Sequence, residues 1–160
     1  MASFTTKTFT NHDDYMTPRS AWENIKDYIP KDKVIWEPFY GDGKSGDYLN
    51  DLGFNVIHNE EDFYENNRGD IVVSNPPFSD KKKIILRLIE LDKPFILIIP
   101  QNAINNNYIK DLLQDKQFQI LIPRRRIQFI KNGNETQNKC NFDCFYYCYK
   151  MNFKKDIIFL

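Results

Sequence analysis

Residues 70–78 read Asp-Ile-Val-Val-Ser-Asn-Pro-Pro-Phe, an apolar run of strand length that passes directly into two consecutive prolines. Neither Pro76 nor Pro77 can donate to a strand ladder, and each holds the residue before it in extended backbone, so the strand must stop in a rigid turn. Such a pair fits the carboxyl end of a buried strand, which is where open α/β sheets bind ligands. The rest of the chain agrees. Strand-sized apolar runs at 33–37, 55–58, 70–74, 95–99, 118–122, 126–130 and 142–149 alternate with helical spacing at 17–28, 45–52, 80–91 and 105–113. That alternation predicts one α/β domain over residues 1–160 with a mainly parallel sheet. The last two runs lack a helix-length separator and are expected to pair antiparallel. Thr17 is expected to cap the first helix with Pro18 at its first position.

Composition narrows the function. The chain has 160 residues, with 22 Lys plus Arg against 22 Asp plus Glu, so its formal net charge is zero. A histone-like binder with a wholly basic surface is excluded, whereas a local basic patch is not. Hydrophobic residues at 41% argue against wholesale disorder. No apolar run approaches the ~20 residues that span a bilayer, and the polar N-terminus lacks a signal-peptide core. An intracellular protein, cytoplasmic or nuclear, is expected. Cys140, Cys144 and Cys148 recur every fourth residue, which puts them on one face of a strand. A radical iron–sulfur spacing would need Cys at position 147, which is Tyr147, and no His lies near to complete a zinc site. They read as buried thiols, with no metal.

The first strand ends in Trp36-Glu-Pro-Phe-Tyr-Gly41-Asp-Gly43-Lys-Ser-Gly46, a G-x-G-x-x-G turn between strand and helix. Glycines there let backbone N–H groups approach a ligand beside a helix N-terminus. Three ligands compete for this turn. A phosphate-binding P-loop needs Gly at position 38, which is Pro38. A dinucleotide turn begins with Gly at the strand end, whereas Glu-Pro-Phe intervenes here. S-adenosylmethionine is the third, and the Asn-Pro-Pro-Phe turn decides among them. Asn75, the Pro76 carbonyl and Phe78 together offer two acceptors and a ring, the set that a planar base with an exocyclic amino group requires.

These motifs resemble the amino-methyltransferase branch of S-adenosylmethionine-dependent Rossmann-like enzymes, in particular N6-adenine methyltransferases with the Dam-like, gamma-type motif order. The resemblance covers most of the chain. Asp14-Tyr-Met-Thr-Pro18 is similar to the N-terminal motif, and implies that Tyr15 and Thr17 meet the methionine carboxylate. Glu37-Pro-Phe-Tyr-Gly-Asp-Gly43 is similar to Asp-Pro-Phe-x-Gly-x-Gly, with Glu for Asp, and implies that Glu37, Phe39, Gly41 and Gly43 hold the methionine end. His58-Asn-Glu-Glu-Asp-Phe63 implies Asn59 or Glu60 at the ribose and Asp62 with Phe63 at the adenine. Asn75-Pro-Pro-Phe78 implies catalytic Asn75, Pro76 and Phe78, with Pro77 against the substrate. Arg126-Ile-Gln-Phe129 and Phe142-Asp-Cys-Phe145 resemble the last strands, beside the target base. The implied fold is a trimmed Rossmann-like class I sheet with an antiparallel C-terminal strand.

The implied chemistry is direct transfer to the adenine amino nitrogen, made more nucleophilic by hydrogen bonds to Asn75 and Pro76 and aligned by Phe78. DNA stands ahead of RNA as the substrate, on motif order. The alternatives are an RNA N6-adenosine methyltransferase, a glutamine methyltransferase, or a cofactor-binding subunit without activity. Lys81 and the cluster Arg124, Arg125 and Arg126, with Phe129 interleaved, are expected at phosphates of the nucleic acid. The plainer reading of both clusters is a solvated face. No segment is long enough for a target-recognition insert, so short loops, a homodimer or a partner subunit would select the target. The zero net charge is a sum of opposites: 57–65 carries four acids and no Lys or Arg, and 116–134 carries five Lys or Arg and no acid.

Overall fold

A computed structural model describes residues 15–114, 116–131 and 142–160; Asp14 and Cys140 lie outside them, as do the side chains of Tyr15, Leu112 and Lys131. In chain order the elements are β1 (Tyr15–Met16), α1 (Arg19–Glu23), β2 (Val34–Trp36), α2 (Lys44–Asp51), β3 (Asn55–Ile57), β4 (Ile71–Ser74), α3 (Lys81–Glu90), β5 (Phe95–Pro100), α4 (Asn107–Leu113), β6 (Phe118–Ile122), β7 (Ile130–Lys131), β8 (Cys144–Tyr149) and β9 (Ile157–Phe159). Seven of the strands form one mixed sheet in the order β3-β2-β4-β5-β8-β6-β9. Within it the β3–β2, β2–β4, β4–β5 and β6–β9 ladders are parallel, and the two ladders of β8 are antiparallel. The α/β expectation therefore holds, with a mostly parallel sheet.

Apolar cores cover both faces. On one, Trp22 of α1, Ile25 just after it and Leu49 of α2 pack with Ile35, Val73, Ile96 and Ile98. On the other, Ile84, Ile85 and Leu88 of α3 and Ile109 and Leu113 of α4 pack with Trp36, Val72, Leu97 and Ile99. A strand buried on both sides reads as a continuous apolar run rather than an alternation, as β5 does.

Two expectations need correction. Residues 126–130 do not pair with β8: among the described residues only Ile130–Lys131 is extended, and it pairs with β1. β8 lies instead between β5 and β6. The reason is burial. Cys144, Tyr146 and Cys148 face one core while Tyr147 and Tyr149 face the other, so β8 fits a central position. A segment opening on exposed Arg124, Arg125 and Arg126 does not. Second, Pro18 rather than Thr17 occupies the cap position of α1, with no side-chain cap, and the helix gives way to a 3-10 turn at Lys26–Tyr28. Beyond these, β9 within residues 151–160 adds an edge strand that the strand-sized runs do not include. The sheet is trimmed only at the β3 edge, where no further strand follows among the described residues. Cys144 and Cys148 are buried on one face as expected, and burial pushes the Cys148 thiol up, which keeps it unreactive.

Candidate active site

The topology gathers the motifs on one edge. β2, β4, β5 and β6 end there, and antiparallel β8 begins there, since Pro100 pairs with Cys144. Glu37, immediately after β2, is 1% exposed. Its Oε2 accepts from the Phe39 N–H at 3.3 Å and from the Ser74 hydroxyl, while Oε1 is buried with no partner. Burial pushes its carboxyl up to about 8, although the Ser74 and Phe39 bonds pull the other way. The glycine turn follows. Gly41 and Gly43 have φ of +60° and +80°, and a Cβ at position 43 would lie 2.8 Å from the Tyr40 hydroxyl oxygen. Only glycine suits the turn that starts α2.

Asn75 extends from the end of β4. Its Nδ2 donates to Thr17 Oγ1 at 2.8 Å, and its Oδ1 is buried without a partner. Ser74 and Asn75 thus face two different sequence motifs from adjacent positions, tying both to the turn after β4. Pro76 is buried, and Pro77 caps a 3-10 turn, Phe78–Asp80, at φ −61° and ψ 123°. Phe78 meets Phe142 and Phe129 edge-on at centroid distances of 5.8 and 6.5 Å. Lys81 Nζ donates to the Phe78 carbonyl at 3.3 Å. A cavity of about 460 Å³ opens here, lined by Phe78, Lys81, Pro100, Gln101, Asn102, Asn106, Phe142 and Asp143.

A family model for the adenine-specific methyltransferase EcoRI matches residues 49–142, a span that includes the Asn75–Phe78 turn. The chain belongs to this adenine-specific methyltransferase family. No curated protein sequence matches it. The family match begins inside α2, beyond Glu37 and the two turn glycines, and ends at Phe142 in the cavity wall.

Within the family span, the acidic loop is less open than its sequence implies. Arg68 grips Glu61 through two bonds of 2.6 Å and holds its carboxyl below the usual range. Asn59 Nδ2 is committed to Glu61 at 3.1 Å, while Glu60 is exposed. Asp62 Oδ1 accepts the Tyr64 N–H at 2.8 Å. Phe63 differs from the expectation: it is fully buried between Trp36 and Phe39, with the Arg87 guanidinium over its ring, so no face remains for a ligand. Phe39 packs there too and is 9% exposed.

The basic segment also divides. Arg124 and Arg125 are exposed beyond the carboxyl end of β6. Arg126 forms a two-point pair with Asp143, at 2.9 and 3.2 Å, on the cavity rim. Phe129 is 2% exposed and stacks on Phe142, so it supports the site from beneath rather than interleaving with bases. Sequence reasoning missed Ser74, Gln101, Asn102 and Asn106. The amides follow the carboxyl end of β5, and the rule that ligands bind there could have found them. Nothing in the sequence marks Ser74 as the partner of Glu37.

Proposed function

We propose that this chain is an S-adenosylmethionine-dependent methyltransferase that methylates the N6 amino group of adenine in DNA. The observation that carries the reading is Asn75, whose amide nitrogen is occupied by Thr17 and whose Oδ1 is a buried acceptor without a partner, in the same turn as Phe78 of the cavity wall. An unsatisfied buried acceptor is costly, and a substrate N–H relieves it. The Pro76 carbonyl is the second acceptor for the adenine amino group. Phe78 lines the cavity, whose volume falls within the roughly 300–1,000 Å³ of ligand pockets. The residues also fit a cationic cofactor. Glu37 Oε1 is buried and unpartnered, and pairing with an ammonium group stabilises its charged form. The positive-φ glycines let that ligand approach the backbone. When bound, S-adenosylmethionine supplies an electrophilic methyl group.

In this reading the chain contributes positioning and electrostatics. Two acceptors draw the amino nitrogen out of conjugation and aim its lone pair, and the aromatic wall fixes the ring plane. Arg124, Arg125 and Lys81 stand on the edge where phosphates pass. Target selection falls to the loops of this edge, a second copy or a partner subunit. The supporting fact is that β4 and β5 are joined by little more than α3, with no inserted module.

The test is tritiated methyl transfer to matched DNA and RNA, single and double stranded, followed by nucleoside analysis. Label in N6-methyldeoxyadenosine is expected, and Asn75→Ala should abolish it while cofactor binding survives. Label in N6-methyladenosine would move the substrate to RNA. Cofactor binding without transfer to any adenine polymer would make the chain a non-catalytic subunit, and transfer by Asn75→Ala would remove the assignment.

A further inference from the structure

We infer that Gln101 reads the target base, its side-chain amide donating to N7 of the adenine whose amine is methylated. The inference rests on the proposed function and supplies what that reading lacks, a contact that chooses the base. The family is adenine-specific. Yet the acceptors of the Asn75 turn meet only an exocyclic amine, and cytosine carries one too. On the edge beside that amine adenine adds the N7 acceptor and cytosine adds none, and carboxamides are common readers of that edge. With both amine protons committed to Asn75 and Pro76, N7 is the position left for such an amide.

Topology sets Gln101 above that turn. Ser74 of β4 is level with Leu97 of parallel β5, and β5 runs on to Pro100. At about 3.3 Å per residue, β5 overshoots the level of Asn75 by roughly 7 Å, and Gln101 follows it. The overhang forms a step over the Asn75 turn, and Phe78 from that turn lines one cavity with Gln101. Gln101 is also held in place. Its N–H donates to the Asp143 carbonyl at 2.9 Å, and its carbonyl accepts from the Tyr147 hydroxyl at 3.1 Å. Both peptide groups are thus spent on β8 and the residue before it. What the exposed Gln101 offers the cavity, from a fixed backbone, is its side-chain amide.

The test uses an oligonucleotide that the wild type methylates. Its acceptor adenine is replaced by 7-deazaadenine, which has C–H for N7, or by 1-deazaadenine, which has C–H for N1. Because Gln101 is exposed, its replacement should leave the fold intact. Gln101→Ala should lower kcat/KM on adenine about tenfold. 7-Deazaadenine should cost this variant much less than it costs wild type, whereas 1-deazaadenine should cost both the same factor. Gln101→Glu offers N7 only an acceptor, so it should transfer faster to 7-deazaadenine than to adenine, the reverse of wild type. Penalties from Gln101→Ala and 7-deazaadenine that simply multiply would overturn the inference, as would a Gln101→Glu that keeps the wild-type preference. Wild-type protein that methylates no adenine polymer overturns the proposed function instead. Affinities for deoxyadenosine monophosphate and its 7-deaza analogue, compared in wild type and Gln101→Ala, then decide whether Gln101 reads N7.

Discussion

Glu37 joins the glycine turn to the end of β4, because one oxygen accepts from Phe39 and Ser74 and the other is left open. Its titration follows from that burial. An unfolded chain releases this proton near 4.5, whereas the fold holds it up to about 8. Between those values the native state binds more protons than the unfolded state, so stability falls as pH rises and levels off above about 8. Urea midpoints measured from pH 5 to 9 should show this slope, and Glu37→Gln should flatten it. A cation against Oε1 favours the charged form, so cofactor binding at pH 7 should release about one proton in wild type and none in Glu37→Gln. Calorimetry in buffers of differing ionisation enthalpy measures it. The places of Glu37, Gly41, Gly43 and Asn75 in turns at strand ends were legible in the sequence, because they depend on backbone restriction within a few residues. Phe63, Phe129 and Arg126 were not, because an aromatic or arginine at a motif position looks the same whether it meets a ligand or a neighbour. Trp36, Phe142 and Asp143 are the neighbours that took them.

At the scale of elements, α3 illustrates how far periodicity reaches. Its apolar residues recur at helical spacing, and Ile84, Ile85 and Leu88 are indeed fully buried against the sheet. Leu86 on the same helix is 41% exposed. Leu88→Ala should therefore cost ~2–5 kcal/mol by cavity formation, and Leu86→Ala should stay within about 0.5 kcal/mol; chemical denaturation separates the two. The strands were less readable. Periodicity located 118–122 and 142–149 but not their partners, because pairing is a choice among distant segments. It was settled by which run could be covered on both faces. β8 could be, and the arginine-led run could not. The edge strand β9 is wholly apolar but only three residues long, shorter than the four to eight that mark a strand by pattern. It depends on tertiary support: Gln119 of β6 donates to the Phe153 and Lys155 carbonyls and accepts from the Phe153 N–H, fixing the chain that leads into it.

Across the whole molecule, a net charge of zero conceals a directed arrangement. Arg124 and Arg125 stand exposed on the same edge as the Asn75 turn, because β6 runs in the same direction as β5, with antiparallel β8 between them. Replacing both by Ala should weaken nucleic-acid binding across sequences and reduce the slope of log K against log salt by about 1.4–1.8, at roughly 0.7–0.9 for each phosphate that is no longer neutralised. A filter-binding titration at several salt concentrations measures this. The sequence by itself determined the α/β alternation, the end of β4 at its prolines and the chemical types in the two turns, since these depend on backbone restriction and periodicity within a few residues. Only the tertiary structure decided that Ser74 meets Glu37, that Thr17 meets Asn75, that β8 divides the sheet, and that Arg68 and Asp143 neutralise charges that looked free. Those are pairings between distant segments, and they are fixed by what each side chain must bury or satisfy once the sheet has closed around it.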